Sequence, residues 1–161
     1  MKKPTRRLGE ILVERKLLTT VQLEQALQDQ RASREFLGAI LVTRGVIRAE
    51  VLLQVLSEQF DLPHQALPAE AIDWNVAKQF PASAFADGKC FPVKADASSI
   101  TVAIANPLNA WALSTMEQAA GFRKVVPVLV TERDLQGALA AYRKRSMQSI
   151  EHLLKDDDGE S

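Results

Sequence analysis

The residues best suited to chemistry are two Leu-Gly pairs, Leu8-Gly9 and Leu37-Gly38, set 29 residues apart. A glycine in the first turn of a helix admits a ligand or a neighbouring backbone at short range. The unpaired N–H groups at a helix start suit an anion such as phosphate. Arg7, just before the first pair, would add charge-assisted hydrogen bonds and a flat guanidinium able to stack on a base. Leu23, Leu27, Leu52 and Leu56 could form an apolar floor under rings, and Gln30 and Gln59 carry amide donors and acceptors. Two copies of such a unit fit a ligand with two nearly equivalent halves. The alternative is that the leucines are core, the glutamines are surface, and the duplicated helical hairpin packs on itself.

The elements that must hold these residues follow from the repeat. Residues 7–18 align with 36–47 at a constant offset of 29, and the match continues through Leu23 with Leu52, Leu27 with Leu56 and Gln30 with Gln59. A repeat of this length is one supersecondary unit used twice. Leu8, Ile11, Leu12 and Arg15 follow helical spacing, so each unit opens with a short helix. Lys16-Leu17-Leu18 is a turn, and Thr19 followed by Gln22 is a capping box that starts a longer helix. In the second unit Gly45 suits a left-handed helix end, and Asp61-Leu62-Pro63 ends its long helix.

Residues 63–89 are punctuated by Pro63, Pro68 and Pro81 and are expected to join two parts, with one short helix near 70–79. Residues 90–94 and 100–105 read as strands around an Asp96-Ala97-Ser98-Ser99 turn. Asn106-Pro107 caps and opens a helix carrying Leu108, Trp111, Ala112, Thr115 and Met116, which Gly121 ends. Residues 124–130 form a third strand, at an edge or bulged because Pro127 lacks a ladder donor. Thr131 with Asp134 caps a last helix running past Tyr142. The expected fold class is α+β: a tandem two-helix repeat (1–62), a linker region (63–89), a small α/β sandwich of about three strands and two helices (90–150), and an acidic tail (151–161).

Composition excludes several function classes. Net charge is zero, so the molecule as a whole is not a general polyanion binder, and neither DNA nor RNA is an expected partner. Residues 1–48 hold ten Lys/Arg against five Asp/Glu, while Asp156, Asp157, Asp158 and Glu160 cluster near the other end. The single cysteine, Cys90, can form no internal disulfide and belongs to no zinc-ligand spacing, which fits a reducing compartment. Glu10, Glu14 and Arg15 interrupt any signal-peptide core, and no run reaches the ~20 apolar residues of a membrane span. The expected address is the cytoplasm.

No catalytic constellation is present. Gly88-Lys89-Cys90 fails as a phosphate loop because Cys90 cannot replace the metal-binding hydroxyl and Ser83 stands where the first loop glycine belongs. His64 and His152 read as surface residues, Cys90 as a small buried hydrophobe, and Trp74 and Trp111 as packing anchors. Neither an enzyme activity nor a metal or cofactor is expected.

The repeated pattern (Arg-Leu-Gly, paired aliphatics, Gly, paired aliphatics, then Leu, Leu and Gln) resembles the MshEN-type motif. That motif occurs in tandem, with a five-residue spacer, in N-terminal domains of type II secretion and type IV pilus-assembly ATPases. Here residues 31–35 form a spacer of that length. The resemblance implies that one cyclic-di-GMP is bound by Arg7, Leu8, Gly9, Leu23, Leu27 and Gln30 of the first copy and Leu37, Gly38, Leu52, Leu56 and Gln59 of the second. Two positions depart from the motif. Lys16 replaces a glycine, and Phe36 replaces an arginine; it could stack on a base but cannot pair with phosphate. Arg34 is near enough in sequence to compensate. The segments 102–108 and 128–142 also resemble the family, so the likeness spans about residues 6–143. It implies a non-catalytic regulatory domain placed before a hexameric ATPase core. That core is missing from these residues, which are either a piece of a longer chain or a stand-alone relative. The alternative function is a docking domain that tethers the ATPase to the cytoplasmic part of an inner-membrane platform protein without binding nucleotide, which would place it peripherally at that membrane.

Overall fold

The structure is a computed structural model that describes residues 7–85, 87–108, 113–121 and 123–159. Helices α1 (Leu8–Glu14), α2 (Thr20–Ser33), α3 (Leu37–Thr43) and α4 (Ala49–Phe60) repeat with their starts 29 residues apart. Thr19 caps α2 reciprocally: its Oγ accepts from Gln22 N at 3.1 Å, and its own N–H donates to the Gln22 side chain at 3.0 Å. Leu12, Leu41 and Leu56 are fully buried between the helices.

The two repeats are related as the halves of a symmetric dimer would be. Arg15 pairs with Glu58, and its counterpart Arg44 pairs with Asp29, the counterpart of Glu58. Such reciprocal contacts are the signature of an approximate twofold relation. Both pairs are half exposed and contribute little energy; they report geometry.

The turn between short and long helix needs a left-handed residue. Gly45 supplies it at φ +73°, and Lys16 adopts the same conformation at φ +61°. A side chain there costs about 1 kcal/mol. Replacing Lys16 with glycine is therefore expected to raise stability by up to about that amount, seen as a higher urea midpoint with an unchanged slope.

Strands β1 (Cys90–Ala95), β2 (Ser99–Ile104) and β3 (Lys124–Leu129) form one sheet in the order β1-β2-β3. β1 pairs antiparallel with β2, with an irregularity between Pro92 and Lys94; β2 pairs parallel with β3. Asp96 shapes the hairpin turn. Its carboxylate accepts from the N–H groups of Ser98 and Ser99 at 2.8 and 2.7 Å, and these bonds hold its pKa below the usual value. Pro127 lies in edge strand β3, where a missing donor is tolerated. That outer edge is partly covered: Leu129 N donates to Pro63 O at 2.8 Å, and Gln65 N donates to Leu129 O at 3.0 Å.

Residues 63–89, read from their prolines as a linker region, pack into the protein. They contain α5 (Trp74–Lys78) and two short 3-10 turns, and they bury Leu67, Ile72, Val76, Phe80 and Phe85. Asp73 N donates to Val93 O at 2.7 Å, fastening α5 to β1. Trp74, Phe85 and Tyr142 surround the ring of Phe91 with centroid distances of 6.1, 5.2 and 6.0 Å. Trp74 thus serves as a packing anchor, with Arg145 stacked 4.3 Å from its ring centroid. Cys90 is buried, and burial together with the charge of Asp87 pushes its thiol up to about 11.

Asn106 Oδ1 accepts from Leu108 N at 2.9 Å, the cap read from the sequence. The following residues 109–112, with Trp111, lie outside the described residues; α6 runs Leu113–Ala120 and ends at Gly121, φ +68°. Thr131 caps α7 (Glu132–Gly159) by accepting from Asp134 N at 3.1 Å. α7 is longer than expected and takes in most of the segment read as an acidic tail. The reason is local: from Ala138 to Asp158 there is neither glycine nor proline, and good helix formers predominate. Among the described residues no helix is long and apolar enough to cross a membrane.

Candidate ligand-binding cleft

The approximate twofold of the repeats opens a cavity of about 540 Å³. It is lined by four residue pairs that match at the repeat offset: Arg7 with Phe36, Leu8 with Leu37, Leu27 with Leu56, and Gln30 with Gln59. Gly9 and Leu23 complete the first repeat's share. Nine of the eleven residues singled out from the sequence therefore meet in one place. Leu52 lines an adjoining cavity of about 450 Å³, which shares Phe36 and Leu56 with the first. Gly38 is buried and lines neither.

Each glycine makes a close approach inside its own repeat, and Gly9 also lines the cavity. A Cβ on Gly9 would lie 2.6 Å from Leu23 Cδ1. A Cβ on Gly38 would lie 2.9 Å from both Leu52 Cδ2 and Phe36 Cε1. Leu23 and Leu52 are themselves repeat counterparts. In each unit the first turn of the short helix is thus glycine so that a leucine of the long helix can lie against its backbone. That close approach is internal to each repeat.

The polar groups sit at the edges. Arg7 is exposed and precedes α1, which starts without a side-chain cap; α3 starts the same way after Phe36. Among the described residues Arg7 has no ion-pair partner, whereas Arg15 and Arg44 do. Gln30 Nε2 donates to Glu35 O at 3.1 Å, which orients its amide. Glu10 places one acidic group on the lining. Arg34, the candidate substitute for the missing second arginine, is exposed and not part of the lining.

Glu10, Phe60 and Leu108 line the cavity without having been singled out from the sequence. Leu108 is half exposed and comes from the turn after β2, so the strand-bearing part contributes to the wall. Its signal was the Asn106-Pro107 cap, which fixes the position of the next residue but says nothing about what it faces. Among the described residues no group of His, Cys, Asp and Glu could hold a metal ion.

The type IV pilus assembly ATPase PilB of Myxococcus xanthus is 27% identical over 150 residues, 93% of this chain and 26% of PilB. PilB of Thermus thermophilus is 30% identical over 139 residues, 85% of this chain and 16% of that protein. The chain thus spans about a quarter or less of the length of these relatives. The solved structure of MshE with cdg superposes with a TM-score of 0.71 at 24% identity, over 85% of this chain and 99% of the other; it shares the fold. The family model for the MshEN domain matches residues 60–149, the segment that carries α5, the sheet and the start of the long helix, while the relatives also cover the repeats. With more than half of its length matched, this chain belongs to the MshEN domain family.

Proposed function

We propose that the chain is a regulatory module of a type IV pilus or type II secretion ATPase and that its repeat cleft binds cyclic-di-GMP. The observation that carries this reading is the cavity of four matched pairs. A ligand made of two identical halves suits a cavity to which both repeats contribute matched positions. The volume lies within the ~300–1,000 Å³ common for small-molecule sites. The leucines offer apolar surface to guanine rings, the glutamines offer amides to their edges, and Arg7 offers a phosphate contact. MshE, which shares the fold, was solved with the same nucleotide. The module's role is to report nucleotide state to an ATPase core, on the same chain or a partner, rather than to catalyse.

Calorimetric titration of the chain with cyclic-di-GMP is the test. One nucleotide per chain is expected, with a dissociation constant on the order of 1 μM, about −8 kcal/mol. Absence of heat, together with unchanged hydrogen exchange in α1 to α4 at saturating ligand, would defeat the reading.

Phe36 favours a second role. It replaces a phosphate-binding cation with an apolar ring on the cavity wall, and apolar surface of that kind serves protein contacts. Docking to the cytoplasmic part of an inner-membrane platform protein is the corresponding proposal. Pull-down with that component, with and without cyclic-di-GMP, separates docking from sensing.

A further inference from the structure

The two halves of the cleft are not equally open. Gly9 and Leu23 line it, but their counterparts Gly38 and Leu52 do not. The backbone is not the cause. Arg7 and Phe36 enter their helices in the same extended conformation, at φ −75°, ψ 147° and φ −63°, ψ 132°. The difference lies in the side chain at that position. Around a Cβ built on Gly9, the three nearest atoms all belong to Leu23. Around one built on Gly38, Phe36 Cε1 lies 2.9 Å away, as near as Leu52 Cδ2. The ring of Phe36 is therefore folded back over the first turn of α3. It is half-buried and packs against the core, whereas Arg7 is exposed. Physical chemistry explains the choice: a phenyl ring gains by leaving water, and a guanidinium does not. Phe36 also lines the adjoining cavity, the one on which Leu52 opens, so its ring stands between Leu52 and the cleft.

We propose that Phe36 is a built-in occupant of the second half of the cleft, and that the site selects for a single guanine nucleotide unit. One half of cyclic-di-GMP is held by Arg7, Gly9, Leu23, Leu27 and Gln30. The other half makes only the contacts that the ring leaves available. This assignment rests on the nucleotide reading of the cleft and specifies which part of the nucleotide is recognised. Its consequence is weak discrimination between the cyclic dinucleotide and a mononucleotide. If both halves contributed alike, removing one would turn a micromolar ligand into a millimolar one or worse, a loss of at least about 1,000-fold. If one half carries the binding, GMP keeps the main contacts and loses about tenfold or less.

The test is calorimetric titration of the native chain with cyclic-di-GMP and, separately, with GMP. The two dissociation constants are expected to lie within about tenfold of each other. Phe36→Ala removes the occupant and leaves the first repeat untouched. Cyclic-di-GMP should then bind about tenfold tighter or better, while GMP stays within about twofold of its native affinity. A native chain that binds cyclic-di-GMP but takes GMP about 1,000-fold more weakly overturns the proposal and leaves the nucleotide reading standing. Phe36→Ala that leaves cyclic-di-GMP binding unchanged also overturns it. So does Phe36→Ala that weakens binding, because the ring would then be stacking on the ligand. Heat for neither ligand defeats the nucleotide reading, and the proposal with it. The comparison on the native chain needs no substitution, so it decides the matter even where the variant fails to fold.

Discussion

Replacing Arg7 with alanine is expected to weaken cyclic-di-GMP binding by about 1–3 kcal/mol, the range for a hydrogen bond to a charged group. Arg7 is exposed at the cavity rim and free of ion pairs among the described residues, so little of that loss can come from damage to the fold. Titration calorimetry reads the affinity, and an unchanged urea midpoint confirms that the fold is intact. The reciprocal variant is more telling. Phe36 occupies the position related to Arg7 by the repeat offset and lines the same cavity. Phe36→Arg would restore a second guanidinium near the ligand's second phosphate. Affinity should rise, and the slope of affinity against salt should steepen, because screening acts on the added charge. If Arg7→Ala leaves affinity unchanged, Arg7 has no part in the site. If Phe36→Arg weakens binding, the aromatic ring is stacking on the ligand and the phosphate assignment to that half is wrong.

The tandem repeat was legible because its two copies carry the same punctuation. Thr19 with Gln22 marked the start of α2, Gly45 and its stand-in Lys16 marked the turns, and a constant offset fixed where α3 and α4 begin. The strands were legible as short apolar runs and from the Asp96 turn between the first two. Nine cleft residues were legible for the same reason as the repeat: a twofold arrangement brings like positions together. What the glycines touch was not. A small residue in a first turn signals close approach, but its partner lies in another helix, and only packing reveals that Leu23 and Leu52 take the space. The packing of residues 63–89 was also hidden. Pro63, Pro68 and Pro81 suppress any periodicity, so burial of Leu67 and Phe85 leaves no pattern along the chain. The length of α7 was hidden because the run of aspartates at 156–158 continues no apolar periodicity.

Phe91→Ala is expected to cost about 3–5 kcal/mol, the range for deleting a fully buried aromatic ring. Phe91 is completely shielded from solvent and touches the rings of Trp74, Phe85 and Tyr142. Its loss therefore loosens β1 from α5, from the turn before it and from α7 at once. The variant also tests how the change of architecture between residues 62 and 90 relates to folding. We propose that it is a boundary of pattern and not of stability. Leu129 exchanges two backbone hydrogen bonds with Pro63 and Gln65, and Leu108 closes a wall of the repeat cleft. Buried side chains from Leu8 to Leu139 belong to one continuous core. Unfolding followed by circular dichroism at 222 nm and by tryptophan fluorescence should then give a single shared midpoint, lowered in the variant. Ligand binding should disappear at that same midpoint. A variant that loses its sheet while α1 to α4 still bind nucleotide would make the repeats an independent folding unit, and the wall supplied by Leu108 would be dispensable.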